Sequence, residues 1–246
     1  MRFVALALLC LGSALAQDYS FDGFYRGDEG DVFNKQPNSF LVRMIAGLKP
    51  GKALDVGMGQ GRNALYLASK GWEVTGFDPS RVGVELAQKE ATARKLQLTA
   101  LVTTSEKFDW GREQWDLIVL TYMGVRALPD RIFESLRPGG LVLIESFHAD
   151  TGFLRVLGEH WKDNELLQVF GGPRFRVIQY EDTLDKQDWG TQYGAKNRLV
   201  RLLAQKPAPR PTGCEFDGKS YAFGEKGGRP GELPMTCTAE GWKFAR

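Results

Sequence analysis

Three glycines within five residues, Gly57, Gly59 and Gly61, follow the short apolar run Ala53-Leu54-Asp55-Val56 and precede a helical pattern. A strand that turns straight into a helix through bare backbone begins a βαβ unit, and such units commit a chain to an open α/β sheet. Glycine lacks the Cβ that would stop the chain bending tightly and would keep a ligand off the main chain. Ligands of such sheets bind at the carboxyl ends of the strands, which is where this loop lies.

The rest of the chain keeps that alternation. A helix is predicted from near Pro37 through Ile45, stopped by Leu48-Lys49-Pro50-Gly51. Arg62 to Ser69 reads as a helix with Ala64, Leu67 and Ala68 on one face and Gly71 at its stop. Trp72 to Phe77 is the next strand, Asp78-Pro79-Ser80 opens a helix to about Lys95, and Leu98 to Thr103 is a third strand. The unbroken apolar run Asp116 to Tyr122 suits a strand buried on both faces of a parallel sheet. Pro129 to Leu136 reads as a short helix, and Arg137-Pro138-Gly139-Gly140 as a turn into the strand Leu141 to Phe147. Glu165 to Phe170 is helical, and Phe175 to Tyr180 and Arg198 to Ala204 are two late strands. A stiff Pro-rich linker begins at Lys206. The expected organisation is a leader (1–16), an N-terminal arm (17–36), an α/β domain (37–206) and a C-terminal extension (207–246).

Two acids flank the glycine loop. Asp55 stands two residues before the first glycine, and Asp78 ends the second strand, where a carboxylate can accept both hydroxyls of a ribose. A dinucleotide fingerprint spaces its glycines Gly-x-Gly-x-x-Gly beside a pyrophosphate. Here the spacing is Gly-x-Gly-x-Gly, and Asp55 would repel a pyrophosphate but attract an ammonium group. S-adenosylmethionine carries an ammonium and a sulfonium and no phosphate. A charge-assisted contact to such a group is worth about 1.5–3 kcal/mol.

The run Ala53 to Pro79 resembles the first two motifs of class I S-adenosylmethionine-dependent methyltransferases, and Leu136-Arg137-Pro138-Gly139-Gly140 resembles another. The resemblance spans about Pro37 to Ala204 and is closest to the small-molecule branch of tellurite-resistance and ubiquinone-biosynthesis enzymes. It implies a Rossmann-like, seven-stranded, mostly parallel sheet with helices on both faces and the last strand antiparallel. It also implies S-adenosyl-L-methionine as cofactor and a small-molecule methyl acceptor. Gly57, Met58, Gly59 and Gly61 would face the methionine part, with Asp55 nearby; Arg62 either reaches the cofactor carboxylate or simply starts its helix. Asp78 and Pro79 would lie at the ribose, and Thr104 and Ser105 at the adenine, with Thr104 where an acid is usual and Phe108 flanking the ring. Thr121, Tyr122 and Met123 would lie beside the reactive methyl.

Tyr122, Glu145 and His148 are the candidates for acid–base chemistry. An imidazole titrates near neutrality and suits a base, but His148 and Glu145 equally suit polar strand ends. His160 reads as packing or surface. No metal site is expected, because three cysteines and two histidines are too few and too scattered for a zinc cluster. With 32 Lys and Arg against 30 Asp and Glu, a net charge of +2 argues against a dedicated nucleic-acid binder.

Met1-Arg2, the apolar run Phe3 to Leu11 and the Ala14-Leu15-Ala16 site form a tripartite export signal cleaved after Ala16. The apolar run is short for a membrane span, and no span is expected in the mature chain. Cleavage removes Cys10 and leaves Cys214 and Cys237, which in an exported chain pair most simply as a disulfide, the alternative being two free thiols. The aromatic stretch Asp18 to Phe33 either folds over the substrate or packs as a terminal arm. The helix after Asn38 either lids the cofactor or is ordinarily capped by that residue. Besides a methyltransferase, two functions stay open: an exported non-catalytic S-adenosylmethionine-binding protein, and a NAD-type oxidoreductase, against which the glycine spacing and Asp55 speak. Oligomeric state is not legible.

Overall fold

The computed structural model describes residues 22–26, 33–151, 160–190, 194–209, 212–229 and 233–244. The segment expected to be an export signal (1–16) lies outside them, as does much of the expected N-terminal arm. The chain begins with helices α1 (Asp22–Arg26) and α2 (Ser39–Met44). It then alternates through β1 (Lys52–Val56), α3 (Arg62–Ser69), β2 (Glu73–Asp78), α4 (Arg81–Ala93), β3 (Thr99–Val102) and β4 (Trp115–Thr121). Next come α5 (Pro129–Ser135), β5 (Leu136–His148), β6 (His160–Trp161), α6 (Glu165–Phe170), β7 (Arg176–Lys186) and β8 (Lys196–Gln205).

The strands lie in the order β3-β2-β1-β4-β5-β8-β7, with the two-residue β6 paired beside β5. Pairing is parallel from β3 to β5, and β8 runs antiparallel to both its neighbours. This is the seven-stranded, doubly wound sheet with an antiparallel last strand, plus one short extra strand. Strand alternation splits the core in two. Leu117 and Val119 of β4 face Phe40, Ala64, Leu67 and Ala87 of α2, α3 and α4. Ile118 and Leu120 face Ile132 of α5 and Leu166 and Phe170 of α6.

Two local expectations are corrected. Arg137-Pro138-Gly139-Gly140 lies inside β5: Leu136 already pairs with Trp115, and the register then shifts to Leu117 opposite Leu141. Glycine carries the irregularity, since Gly139 has φ +84° and a Cβ on Gly140 would stand 2.9 Å from the Trp115 carbonyl oxygen. β7 runs past Tyr180 to Lys186, because its charged residues meet cations on β8: Asp182 binds Arg198, and Glu181 and Asp185 bind Arg201.

After the Pro-rich stretch come β9 (Gly213–Phe216), β10 (Lys219–Ala222), β11 (Lys226–Gly227), β12 (Met235–Thr238) and β13 (Gly241–Phe244), in two small sheets. A Cys214–Cys237 disulfide joins β9 to β12, and Trp242 packs edge-on to Phe216 and Tyr221. Among the described residues, no helix is long and apolar enough to cross a membrane.

Candidate active site

The glycine loop leaves β1 with φ +65° at Gly57, +54° at Gly59 and +80° at Gly61, values that favour glycine. The three differ in what they make room for. A Cβ on Gly57 would stand 3.1 Å from Met123 Sδ, and one on Gly59 would stand 2.3 Å from the Tyr25 hydroxyl. A Cβ on Gly61 would meet Ala87 of α4 at 2.8 Å, so this glycine seats α3 against α4 and does not border the cleft.

The acids also divide their work. Asp55 Oδ2 accepts the Ala64 amide at 2.9 Å, satisfying one of the free N–H groups in the first turn of α3. Its carboxyl is buried behind the loop and borders neither chamber of the cleft, contrary to a place directly against the ligand. Burial pushes it up to about 7, against the Ala64 hydrogen bond. Asp78 does border the cleft. Its Oδ2 accepts the Gly59 amide at 2.9 Å and its Oδ1 the Ser80 amide at 2.8 Å, which couples the end of β2 to the glycine loop. Burial raises its pKa, and the two amides oppose that. A carboxylate has about four lone-pair sites, so two stay available.

The cleft has two chambers. The larger, about 330 Å³, runs along Phe77, Asp78 and Pro79, past Thr104, Ser105 and Glu106, to Thr121, Tyr122 and Met123. The smaller, about 30 Å³, lies between Gly57-Met58-Gly59-Gln60, Arg62, Asn63, Phe33 and Asn34. Tyr25, Gly57, Thr121 and Trp189 border both. The described part of the N-terminal arm therefore lies on the cleft. Asp22 anchors α1 by accepting the Ser80 hydroxyl at the start of α4.

At the end of β4, Tyr122 has φ +57°, a strained conformation for a bulky residue. Its ring stacks on Trp189, and its hydroxyl donates to Glu145. Burial, with the Glu145 and Asp188 carboxylates, holds that phenol well above its ordinary pKa, so it stays a donor. Glu145 is fully buried behind it, bound by Arg201 Nε at 2.6 Å and Asn38 Nδ2 at 2.9 Å, and borders neither chamber. Burial and Asp188 push its pKa up while Arg201 opposes them.

His148 stands apart from the cleft. Its Nδ1 accepts the Asp150 amide at 3.1 Å, and Nε2 lies 3.0 Å from Asp163. His148, Asp163 and Asp182 form a group of metal-capable side chains, but Arg198 already binds Asp163 at 2.7 Å and Asp182 at 2.6 Å. His160 packs its ring against Phe147.

Arg62 both opens α3 and borders the smaller chamber. It donates to the Gln36 carbonyl (3.1 Å), to the Asp188 carbonyl (2.8 Å) and to Asp188 Oδ1 (3.0 Å). Asn38 is an ordinary cap, accepting the Leu41 amide at 2.9 Å, and does not border the cleft. Phe108 stacks on Phe77 in the core, and it is Phe77 that borders the larger chamber.

Tyr25 and Phe33 belong to the aromatic stretch 18–33 that the sequence offered as a cover for the substrate or a packed arm, whereas Glu106, Asp188 and Trp189 were not singled out. Glu106 was within reach, as the acid two places after Thr104. The Thr104 hydroxyl, its own amide and the Ser105 hydroxyl hold it below the usual carboxylate range. Trp189 and Asp188 carry no such signal, since Asp188 meets Arg62 across 126 residues of chain.

The donor set suits S-adenosylmethionine. Gly57 and Gly59 present bare backbone to the cleft, where a Cβ would crowd Met123 and Tyr25, and Asp78 offers a carboxylate along it. Arg62 is the sole cation among the described lining residues, and Asp188 holds it, so a pyrophosphate meets no free positive side chain.

Residues 53–140 match a family profile described as "Methyltransferase domain". The chain is 26% identical over 213 residues to Hemagglutinin 1 of Eikenella corrodens, covering 78% of this chain and 69% of that one. It is 31% identical over 104 residues to a probable S-adenosyl-L-methionine-dependent methyltransferase, TehB, of Haemophilus influenzae, covering 40% of this chain and only 36% of that protein. The crystal structure of TehB superposes with a TM-score of 0.57 at 22% identity, over 69% of this chain and 62% of that one. A structure solved for the conversion of a disulfide bond into a thioacetal group in echinomycin biosynthesis superposes at 0.61 and 21% identity, over 76% and 90%.

Fold and cleft thus define a class I methyltransferase architecture. The chain carries an S-adenosylmethionine-dependent methyltransferase domain, with S-adenosylmethionine as its cofactor.

Proposed function

We propose that this protein is an exported enzyme that methylates a small, soft nucleophile such as a thiolate or a metalloid oxyanion. The observation that carries this is the lack of a free base at the methyl end of the cleft among the described residues. Tyr122 is a protonated donor, and Glu145, bound by Arg201, Asn38 and Tyr122, is buried behind it and borders neither chamber. A nucleophile that arrives already deprotonated needs no such base, whereas a neutral hydroxyl or amine does.

When bound, S-adenosylmethionine supplies an electrophilic methyl group on a cationic sulfur. The chain's own contribution is placement and exclusion of water. Asp78 would hold the ribose hydroxyls; Thr104, Ser105 and Glu106 border the chamber where the base would lie; Gly57 and Gly59 keep the main chain open to the amino-acid end. Asp55, a carboxylate beneath the loop, favours a positively charged ligand above it. Trp189, Tyr25 and Phe33 cover the cleft.

Export rests on the tripartite segment Met1 to Ala16, and the Cys214–Cys237 bond accords with an oxidising compartment. Mass spectrometry of the secreted protein should find Gln17 at its N-terminus. The activity is tested by a labelled-methyl screen of purified protein against thiols, selenite and tellurite, phenols and amines. Label on the soft acceptors is expected. Label on phenols or amines alone overturns the acceptor class. Tight cofactor binding with no labelled product favours the binding-only function, which export makes pertinent because the cofactor is made in the cytoplasm.

A further inference from the structure

The chambers of the cleft meet where Tyr25, Gly57, Thr121 and Trp189 border both. Two of these four are aromatic. Trp189 sits in the loop between β7 and β8. One side of its ring lies against Tyr122, with centroids 5.7 Å apart and planes at 24°. Phe33 stands edge-on to it at 5.7 Å and in turn packs against Tyr25 at 5.2 Å. Burial and the Asp78 carboxylate keep the Tyr25 phenol protonated, so the junction presents neutral, electron-rich rings.

The preceding residue fastens this loop with unusual thoroughness. Asp188 Oδ1 accepts Arg62 Nη2 at 3.0 Å, and Oδ2 accepts the Ser39 amide at 2.8 Å. Asn38 Nδ2 reaches both oxygens at 3.2 Å. The Asp188 carbonyl also accepts Arg62 Nη1 at 2.8 Å and Asn34 Nδ2 at 2.7 Å. Those bonds tie one loop to the starts of α2 and α3, and so fix Trp189 relative to the glycine loop. A roof that only kept water out would not need its position set from so many directions.

We infer that Trp189, with Tyr25, recognises the positive charge of the sulfonium at the chamber junction through its ring electrons, and that Asp188 is the positioning residue that holds it there. The inference rests on the cofactor assignment above. Aromatic faces attract cations through the ring quadrupole, and Trp does so most strongly. An indole at the junction therefore favours the charged cofactor over its neutral thioether product, which aids product release.

The test compares the dissociation constants of S-adenosylmethionine and S-adenosylhomocysteine, measured by calorimetry on the full chain. The two ligands differ by one methyl group and one charge. In Trp189→Leu, which keeps an apolar side chain without a π-system, preference for the charged ligand should fall about fivefold relative to the parent. Trp189→Phe should keep most of the preference, and Asp188→Ala should lose part of it. If Trp189→Leu fails to fold, Tyr25→Leu gives the same ratio. Equal weakening of both ligands, or an unchanged ratio, overturns the inference and leaves the cofactor assignment standing. A parent protein that binds neither ligand overturns both.

Discussion

Asp55→Asn sets stability against binding at one buried atom. The substitution keeps the side chain's shape and an oxygen to accept the Ala64 amide, now 2.9 Å from Oδ2. It removes a charge that burial opposes. The folded carboxyl titrates at about 7 against an ordinary 3.8. A rise of roughly three pH units corresponds to ~4 kcal/mol. Because the folded pKa is raised, the folded state holds this proton more tightly than the unfolded chain does. Its stabilising contribution is complete below about pH 4, falls as pH rises, and is gone above about pH 7. Asparagine does not titrate. The variant should therefore match the parent near pH 4 and exceed it by up to ~4 kcal/mol at pH 8. At this chain length that is about 8–16 °C in Tm. Circular dichroism melts of the ligand-free protein from pH 4 to 8.5 read the difference directly. Above about pH 7, where the parent carboxyl is ionised, S-adenosylmethionine should bind the variant about tenfold or more weakly, through loss of the attraction of that charge, and the two affinities should converge toward pH 4. A variant less stable than the parent at pH 8, or a gain that is the same at every pH, refutes the reasoning.

Gly59→Ala should cost ~1–3 kcal/mol through its left-handed backbone, and its Cβ would push Tyr25 off the cleft, so cofactor affinity measured by calorimetry should fall with the melting temperature. Arg201→Met should destabilise by about 3–5 kcal/mol in urea unfolding, because it strands the buried Glu145 carboxylate; adding Glu145→Leu should restore most of the loss. Cys214→Ser should remove roughly 3 kcal/mol from the C-terminal module, seen as faster proteolysis of that module with cofactor affinity unchanged.

Much of the fold was legible because its signals are local. The apolar run from Asp116 forms β4, buried along Leu117 to Leu120. Arg62 to Ser69 and Glu165 to Phe170 form helices at the expected bounds. Turn chemistry misled at Arg137 to Gly140, because partners on both sides of β5 hold the chain in the sheet despite a proline and two glycines. In the site, the glycine loop and Asp78 were legible because the residue types themselves state the geometry. Asp55 was found, but its contact was not: which way a strand side chain faces depends on what packs beside it, and here the first turn of α3 claims the carboxylate. His148 and Glu145 were named from their place at the end of β5, yet Glu145 is tied to Arg201 and His148 to Asp163, and neither borders the cleft.

The order of glycines and acids, with the βαβ rhythm around them, determined by itself the sheet, the carboxyl-end cleft and the kind of ligand it admits. Only the tertiary structure decided that Asp188 pairs with Arg62, that Trp189 borders both chambers of that cleft and that Tyr122 is held as a donor. The physical reason is range: backbone conformation and strand–helix alternation are written in neighbouring residues, whereas burial and charge pairing arise only once segments more than a hundred residues apart are brought into contact.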